Sequence, residues 1–255
     1  MSRIWTIATA TFREAVRDKV LNSILFFAVI LLFVSLAMKD VSIGDADKVV
    51  RGVALGGVSA LAGVIAIFLG VGLVYKEIER KTIYTLASKP LPRWQLLLGK
   101  YLGLWLTLAA EVALLTVLYT LVVGMRQGLP GLPVYVSMGM LMMELTLVCA
   151  WATLFSTYSA PFTAAAFSVS IYLIGHFADD LRRFGEHADP GPSKTMLLVL
   201  YRVVPNLEAF NLRTEAVHGV AVPWSELGWT CAYGLGYTAA VLGVAMIVFE
   251  RRDFK

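Results

Sequence analysis

Apolar residues along this chain gather into six long runs, residues 20–38, 53–75, 96–123, 134–157, 160–178 and 229–249, separated by short polar stretches. A helix rises about 1.5 Å per residue, so about 20 apolar residues cross the roughly 30 Å hydrocarbon layer of a bilayer. Each run therefore predicts a membrane-spanning helix. Only a polar turn over residues 156–161 divides the fourth run from the fifth, which predicts a helical hairpin. No run alternates with period two, as the strands of a membrane barrel do. The expectation is an all-α membrane protein with six transmembrane helices, forming a single transmembrane domain over residues 1–255.

The polar stretches have patterns of their own. In residues 1–19, Ile4, Trp5, Ala8, Phe12, Ala15 and Val16 recur at helical spacing, with Arg13 and Arg17 on another face. This predicts an N-terminal interfacial helix, its basic residues near anionic lipid. A cleavable signal peptide ending near Ala37 fits less well, because the 19 residues before the first run are too long and too patterned for a charged leader. Residues 75–101, YKEIERKTIYTLASKPLPRWQLLLGKY, form the most charged interruption between two runs. Within it Ile78, Thr82, Ile83 and Leu86 recur at helical spacing, and Pro90 and Pro92 end the helix before a new one starts near Trp94. Residues 76–93 thus predict a short amphipathic helix under the membrane.

The largest polar region is 179–228. Its beginning, DDLRRFGEHADPGPS, is turn-rich and is expected to be a surface loop. Ser193 is then placed to cap a helix over the apolar run 196–204, which is too short to cross, and Pro205 breaks it. A second amphipathic piece follows over 206–217. Two such pieces before a final span predict re-entrant or interfacial helices in the outer leaflet. Pro223 and Ser225 open the last helix.

Composition agrees with this pattern. The 255 residues are 58% hydrophobic and 16% charged, with a mean hydropathy of +0.72, far more apolar than a soluble domain in which roughly a quarter of residues are charged. Six spans put both termini on one side. That side holds 13 of the 22 lysines and arginines, including Arg13, Arg17, Lys76, Arg80, Lys81 and Arg251, while the other side holds nine and ten acids. The bias predicts cytoplasmic termini in a multi-pass protein of the cell membrane. The net charge of +4 is then a matter of topology, and no nucleic acid partner is expected.

Four features within the spans bear on chemistry. Gly52, Gly56, Gly57, Ala60 and Gly63 form a small-residue stripe that permits close helix approach, within the chain or between subunits. Glu111 and Glu144 lie inside the third and fourth spans, where a lone carboxylate is expensive, so each is expected at a helix interface or a wet cavity. Both a polar patch on a transport route and a structural hydrogen bond to a neighbouring helix satisfy that cost. Cys149 and Cys231 fall inside spans and read as small packing residues.

The usual constellations of catalysis are absent. His176, His187 and His218 have no metal-ligand spacing, and no H-E-x-x-H occurs, so no metal site is expected. Ser170 and His176 share a span without a nucleophile elbow or an orienting third group, and are read as packing and helix-end residues. No G-x-x-x-x-G-K-[ST] is present, so the chain is not expected to hydrolyse ATP through a P-loop of its own.

Taken together, these features resemble the permease subunits of ABC type-2 exporters over nearly the whole chain. The sharpest part is KEIERKTIYTLASKPLPRWQLLLGKYLG, with its Glu-x-Glu pair, Thr-Ile, Leu, a proline followed by a basic residue, and Gly-Lys. VPNLEAFN, residues 204–211, is similar to the stretch before the last span in the branch containing the nitrous-oxide-reductase maturation and gliding-motility permeases. One departure is Lys81-Thr82, where relatives commonly have Gly-Thr.

The resemblance implies that the permease exports a substrate across a bacterial or archaeal inner membrane by alternating access. It implies a separate ATP-binding cassette subunit, with the ATP and Mg on that partner and no cofactor in this chain. It also implies a second permease chain, a copy or a sister, paired within membrane lipid. Residues 76–93 would then be the coupling helix, with Glu77, Glu79, Arg80, Lys81 and Thr82 at the docking surface, and Met196, Tyr201, Pro205 and Phe210 would form the external gate. The competing classes are an ATP-independent channel, a secondary transporter and a membrane scaffold. The two halves of the chain show no visible repeat, which disfavours a secondary transporter.

Overall fold

The structure, a computed structural model, describes residues 3–37, 45–79, 92–187 and 191–251, and everything below concerns those residues. Ten α-helices follow one another among them: α1 (Arg3–Val16), α2 (Lys19–Ala37), α3 (Ala46–Glu79), α4 (Arg93–Gln127), α5 (Leu132–Tyr158), α6 (Pro161–His176), α7 (Ala178–His187), α8 (Pro192–Val203), α9 (Arg213–His218) and α10 (Trp224–Arg251). A 3₁₀ turn, Glu208–Phe210, precedes α9. No strand occurs among the described residues.

Four helices are long and apolar enough to cross a membrane, over Asp47–Leu73, Arg93–Met125, Leu132–Tyr158 and Trp224–Arg251. Helices α6 and α7, bent by 64° at their junction, reach that length and apolarity only when taken together as one span. Within α2, where the first span is expected, the apolar stretch Asn22–Val34 is shorter. The protein is therefore an all-α, multi-pass membrane protein.

Helix α5 is the axis of the bundle. Its apolar window is 78% buried, against 33–50% for the other long helices. It packs most extensively on α3 and α10, and also touches α4, α6 and α9. The α3–α5 crossing is close because Gly70 has no side chain: a methyl there would stand 2.5 Å from Ala152 Cβ and 2.9 Å from the Cys149 carbonyl oxygen. The small-residue stripe on α3 serves packing within the chain. Gly57 receives Leu31 of α2, Gly63 receives Tyr172 of α6, and Gly56 receives Arg213 of α9.

The predicted hairpin forms, with α5 closing at Tyr158 and α6 opening at Pro161. Residues 179–187, expected to be a loop, are instead α7. Asp179 and Asp180 stand in its first turn, where acids favour a helix, and Arg182 Nε donates to Glu186 Oε1 at 2.8 Å one turn on. Gly185 lets α8 pack closely through Leu198. Helix α8 starts at Pro192 with Gly191 as its cap, so Ser193 lies within the first turn rather than capping it. The amphipathic piece at 206–217 is not one helix. Asn206 Oδ1 accepts from the Ala209 amide and Asn211 Oδ1 accepts from Arg213, and these side-chain bonds replace helical ones.

Candidate functional site

Two ends of the bundle concentrate its polar groups. At the distal end, α6 stops at His176, and the chain returns beside it. The Leu207 amide donates to the Gly175 carbonyl at 3.0 Å, one of the carbonyls that a helix end leaves without an intrahelical donor. Gly175 makes this approach possible, since a methyl there would meet the Pro205 carbonyl oxygen at 2.9 Å. Leu207 and Phe210 are fully buried, and the Phe210 ring sits on Gly234 of α10. The stretch 204–213 thus packs against α5, α6 and α10.

Under this stretch lies Glu144 of α5, only 2% exposed. Its Oε1 is 3.4 Å from His176 Nε2, a contact without hydrogen-bond alignment. His176 Nδ1 is 2.9 Å from the Tyr172 carbonyl oxygen, and the two rings are 4.5 Å apart. A void of about 10 Å³, room for at most one water, touches Glu144, Ser59, Ser137, Asn211 and Arg213. Asn211 joins that void to Glu208, donating to its Oε1 at 2.8 Å and accepting from Arg213 Nε at 2.7 Å. One acid and one base of the stretch 204–213 therefore stand at the lip of the Glu144 site.

At the opposite, basal end, α1 lies along the first turns of α4. Methyl groups on Gly99 and Gly103 would stand 3.0 Å and 2.6 Å from the carbonyl oxygens of Ile4 and Ala8. Arg93, the first residue of α4, donates from Nη1 to the Glu250 carbonyl at 3.1 Å, tying α4 to the end of α10. A cavity of about 560 Å³ opens between α1, α2, α3, α4 and the start of α6. Its walls are apolar, with Phe68 and Phe162 prominent, and Glu14, Asp18 and Lys100 stand at its rim.

The sequence profile of the family described as ABC-2 family transporter protein matches residues 5–254, nearly the whole chain. This chain belongs to the ABC-2 transporter family. No curated protein matches it. As an ABC-2 family permease, it places its basal end where the connection between α3 and α4 emerges. Glu77 and Glu79 lie in the last turn of α3, and Arg80, Lys81 and Thr82 lie outside the described residues.

The remaining residues singled out in the sequence are distributed unevenly in the permease fold. Glu144 joins the distal site. Glu111 of α4 is 4% exposed, lies outside the residues lining the Glu144 void, and neither carboxylate oxygen has a hydrogen-bond partner among the described residues. Pro205 and Phe210 are buried in the bundle, whereas Met196 is 65% exposed and Tyr201 lies on the α7–α8 layer with the Arg182 guanidinium 5.9 Å from its ring centre. Ser170 spends its hydroxyl on the Ala166 carbonyl of its own helix.

His176 ends α6, as the sequence suggested, and it also stands beside Glu144. The signal was present: Glu144 and His176 lie nearly equal numbers of residues before and after the turn at Ser159 and Ala160. An antiparallel hairpin puts such positions at one height.

Proposed function

We propose that this ABC-2 family permease is the membrane subunit of an ATP-driven exporter, coupled through residues 76–93 to a separate ATP-binding subunit. That partner carries the ATP and Mg, and a second permease chain, a copy or a sister, completes the translocation pathway. The observation that carries this reading is the construction of the basal end. Helix α4 begins where the coupling segment ends, and it is packed through Gly99 and Gly103 onto α1 and bonded through Arg93 to the end of α10. A push on the segment therefore moves α1, α4 and α10 together, because close-packed helices shift as units.

Glu77, Glu79, Arg80, Lys81 and Thr82 would form the docking surface. Around the basal cavity, movement of α4 against α3 and α6 would change access from the side carrying the termini, which the basic bias places in the cytoplasm. At the distal end Pro205 and Phe210 form the inner part of the external gate, and Met196 and Tyr201 form its outer layer. Glu144 belongs to the pathway's polar lining under that gate.

The test is purification from the native membrane of the host, with ATPase assay of what co-purifies. A stoichiometric P-loop ATPase supports the exporter reading. A lone oligomer, under conditions that keep other membrane complexes intact, overturns it in favour of a channel or scaffold.

A further inference from the structure

We propose that Glu144 and His176 form a proton-binding site within the membrane, and that the proton they share holds the stretch 204–213 closed. The argument starts from counting hydrogens. The Tyr172 carbonyl oxygen can only accept, so His176 Nδ1, 2.9 Å away, carries a hydrogen. A neutral imidazole then has a bare lone pair at Nε2, and that atom faces Glu144 Oε1 at 3.4 Å. Two lone pairs held at that distance repel unless a proton lies between them, either as imidazolium facing carboxylate or as a carboxyl group donating to Nε2.

Glu144 is 2% exposed, and its Oε1 has no aligned hydrogen bond among the described residues, so no other group replaces that proton. The groups facing the pair are few. From the 3₁₀ turn, Glu208 acts on His176 through space. From α9, Arg213 acts on Tyr172, which in turn neighbours Glu144. Among the described residues, helix α3 presents Leu55 and Ser59 to the void beside Glu144, neither of them charged.

The site is coupled to the gate by direct contact. Gly175, the residue before His176, accepts the Leu207 amide, and the void beside Glu144 is walled by Phe210, Asn211 and Arg213. Loss of the shared proton places a lone pair against a buried carboxylate, and the separation that relieves it displaces the end of α6. The Leu207 bond then breaks. The sign follows: closure is present at low pH and is lost as pH rises through the pair's titration.

This proposal rests on the reading of 204–213 as the external gate, and its test needs neither substrate nor ATP-binding partner. The full chain in phospholipid nanodiscs is followed by hydrogen exchange from about pH 6 to about pH 9, each rate divided by the intrinsic rate at that pH. Protection of the peptide containing Leu207 is expected to fall on the order of tenfold across that range, with protection in α5 constant. In Glu144→Gln the amide donates permanently to Nε2, and in His176→Gln it donates permanently to the carboxylate, so both variants should keep protection at every pH. A wild-type profile without pH dependence overturns the proposal, as does a fall of wild-type size in either glutamine variant. An ATPase failing to co-purify would overturn the exporter reading and leave this result standing.

Discussion

Gly103 of α4 lies so close to Ala8 of α1 that a methyl group on it would stand 2.6 Å from the Ala8 carbonyl oxygen. The amphipathic N-terminal helix is therefore seated on backbone, along the first turns of α4. Gly103→Val has nowhere to place its side chain, since Thr11 Cβ is also 2.6 Å from that position. Overpacking of this kind costs about 1–3 kcal/mol. The expected outcome is a folded chain with a lowered thermal midpoint and weakened coupling of ATP hydrolysis to transport. Unchanged stability and coupling would show that α1 is not part of the moving unit.

The docking surface is tested at its acids. Glu77→Ala combined with Glu79→Ala should leave the chain inserted and folded while separating ATP hydrolysis from export, read as ATPase activity that transport no longer follows. A double variant that exports normally removes these residues from the transmission role.

Glu111 has the opposite logic to a structural carboxylate. Both its oxygens are buried without a hydrogen-bond partner among the described residues, so removal should relieve a cost rather than break a bond. Glu111→Leu is expected to raise the stability of the isolated chain by about 1–3 kcal/mol. A drop in stability of the isolated chain would assign Glu111 a partner within it.

Tyr101 ties α4 to α5, its hydroxyl donating to the Thr146 carbonyl at 2.7 Å in a buried position. Tyr101→Phe keeps the ring and loses that bond, which should cost about 0.5–1.5 kcal/mol. Thermal unfolding in nanodiscs measures the loss, and an unchanged midpoint would mean that water replaces the hydroxyl.

Much of the architecture was legible in the chain alone, for reasons that can be named. Apolar run length is set by bilayer thickness, so the four long spans are visible in the chain, whereas the runs 20–38 and 160–178 correspond to helices that do not reach that length alone; the hairpin turn before Pro161 follows from a proline that suits a first helical turn. The end of α8 at Val203 followed from Pro205, which breaks the apolar run 196–204. Turn-rich composition misled at 179–187, where the Arg182 and Glu186 pair and the acidic first turn outweighed it.

What the chain by itself determined is the set of local and one-dimensional properties: helix type, span length, the side on which basic residues gather, and the family to which KEIERKTIYTLASKPLPRW points. Tertiary structure alone decided which positions meet. Glu144 finds His176 because α5 and α6 are antiparallel, Gly175 meets Leu207 where the chain returns beside the end of α6, and Gly70 is spent on Ala152 and Cys149 within the chain. The physical reason is that helical periodicity gives a face to each residue but no partner to a face. In a membrane, where lipid solvates every apolar face about equally well, only close packing and the matching of buried polar groups select among neighbours.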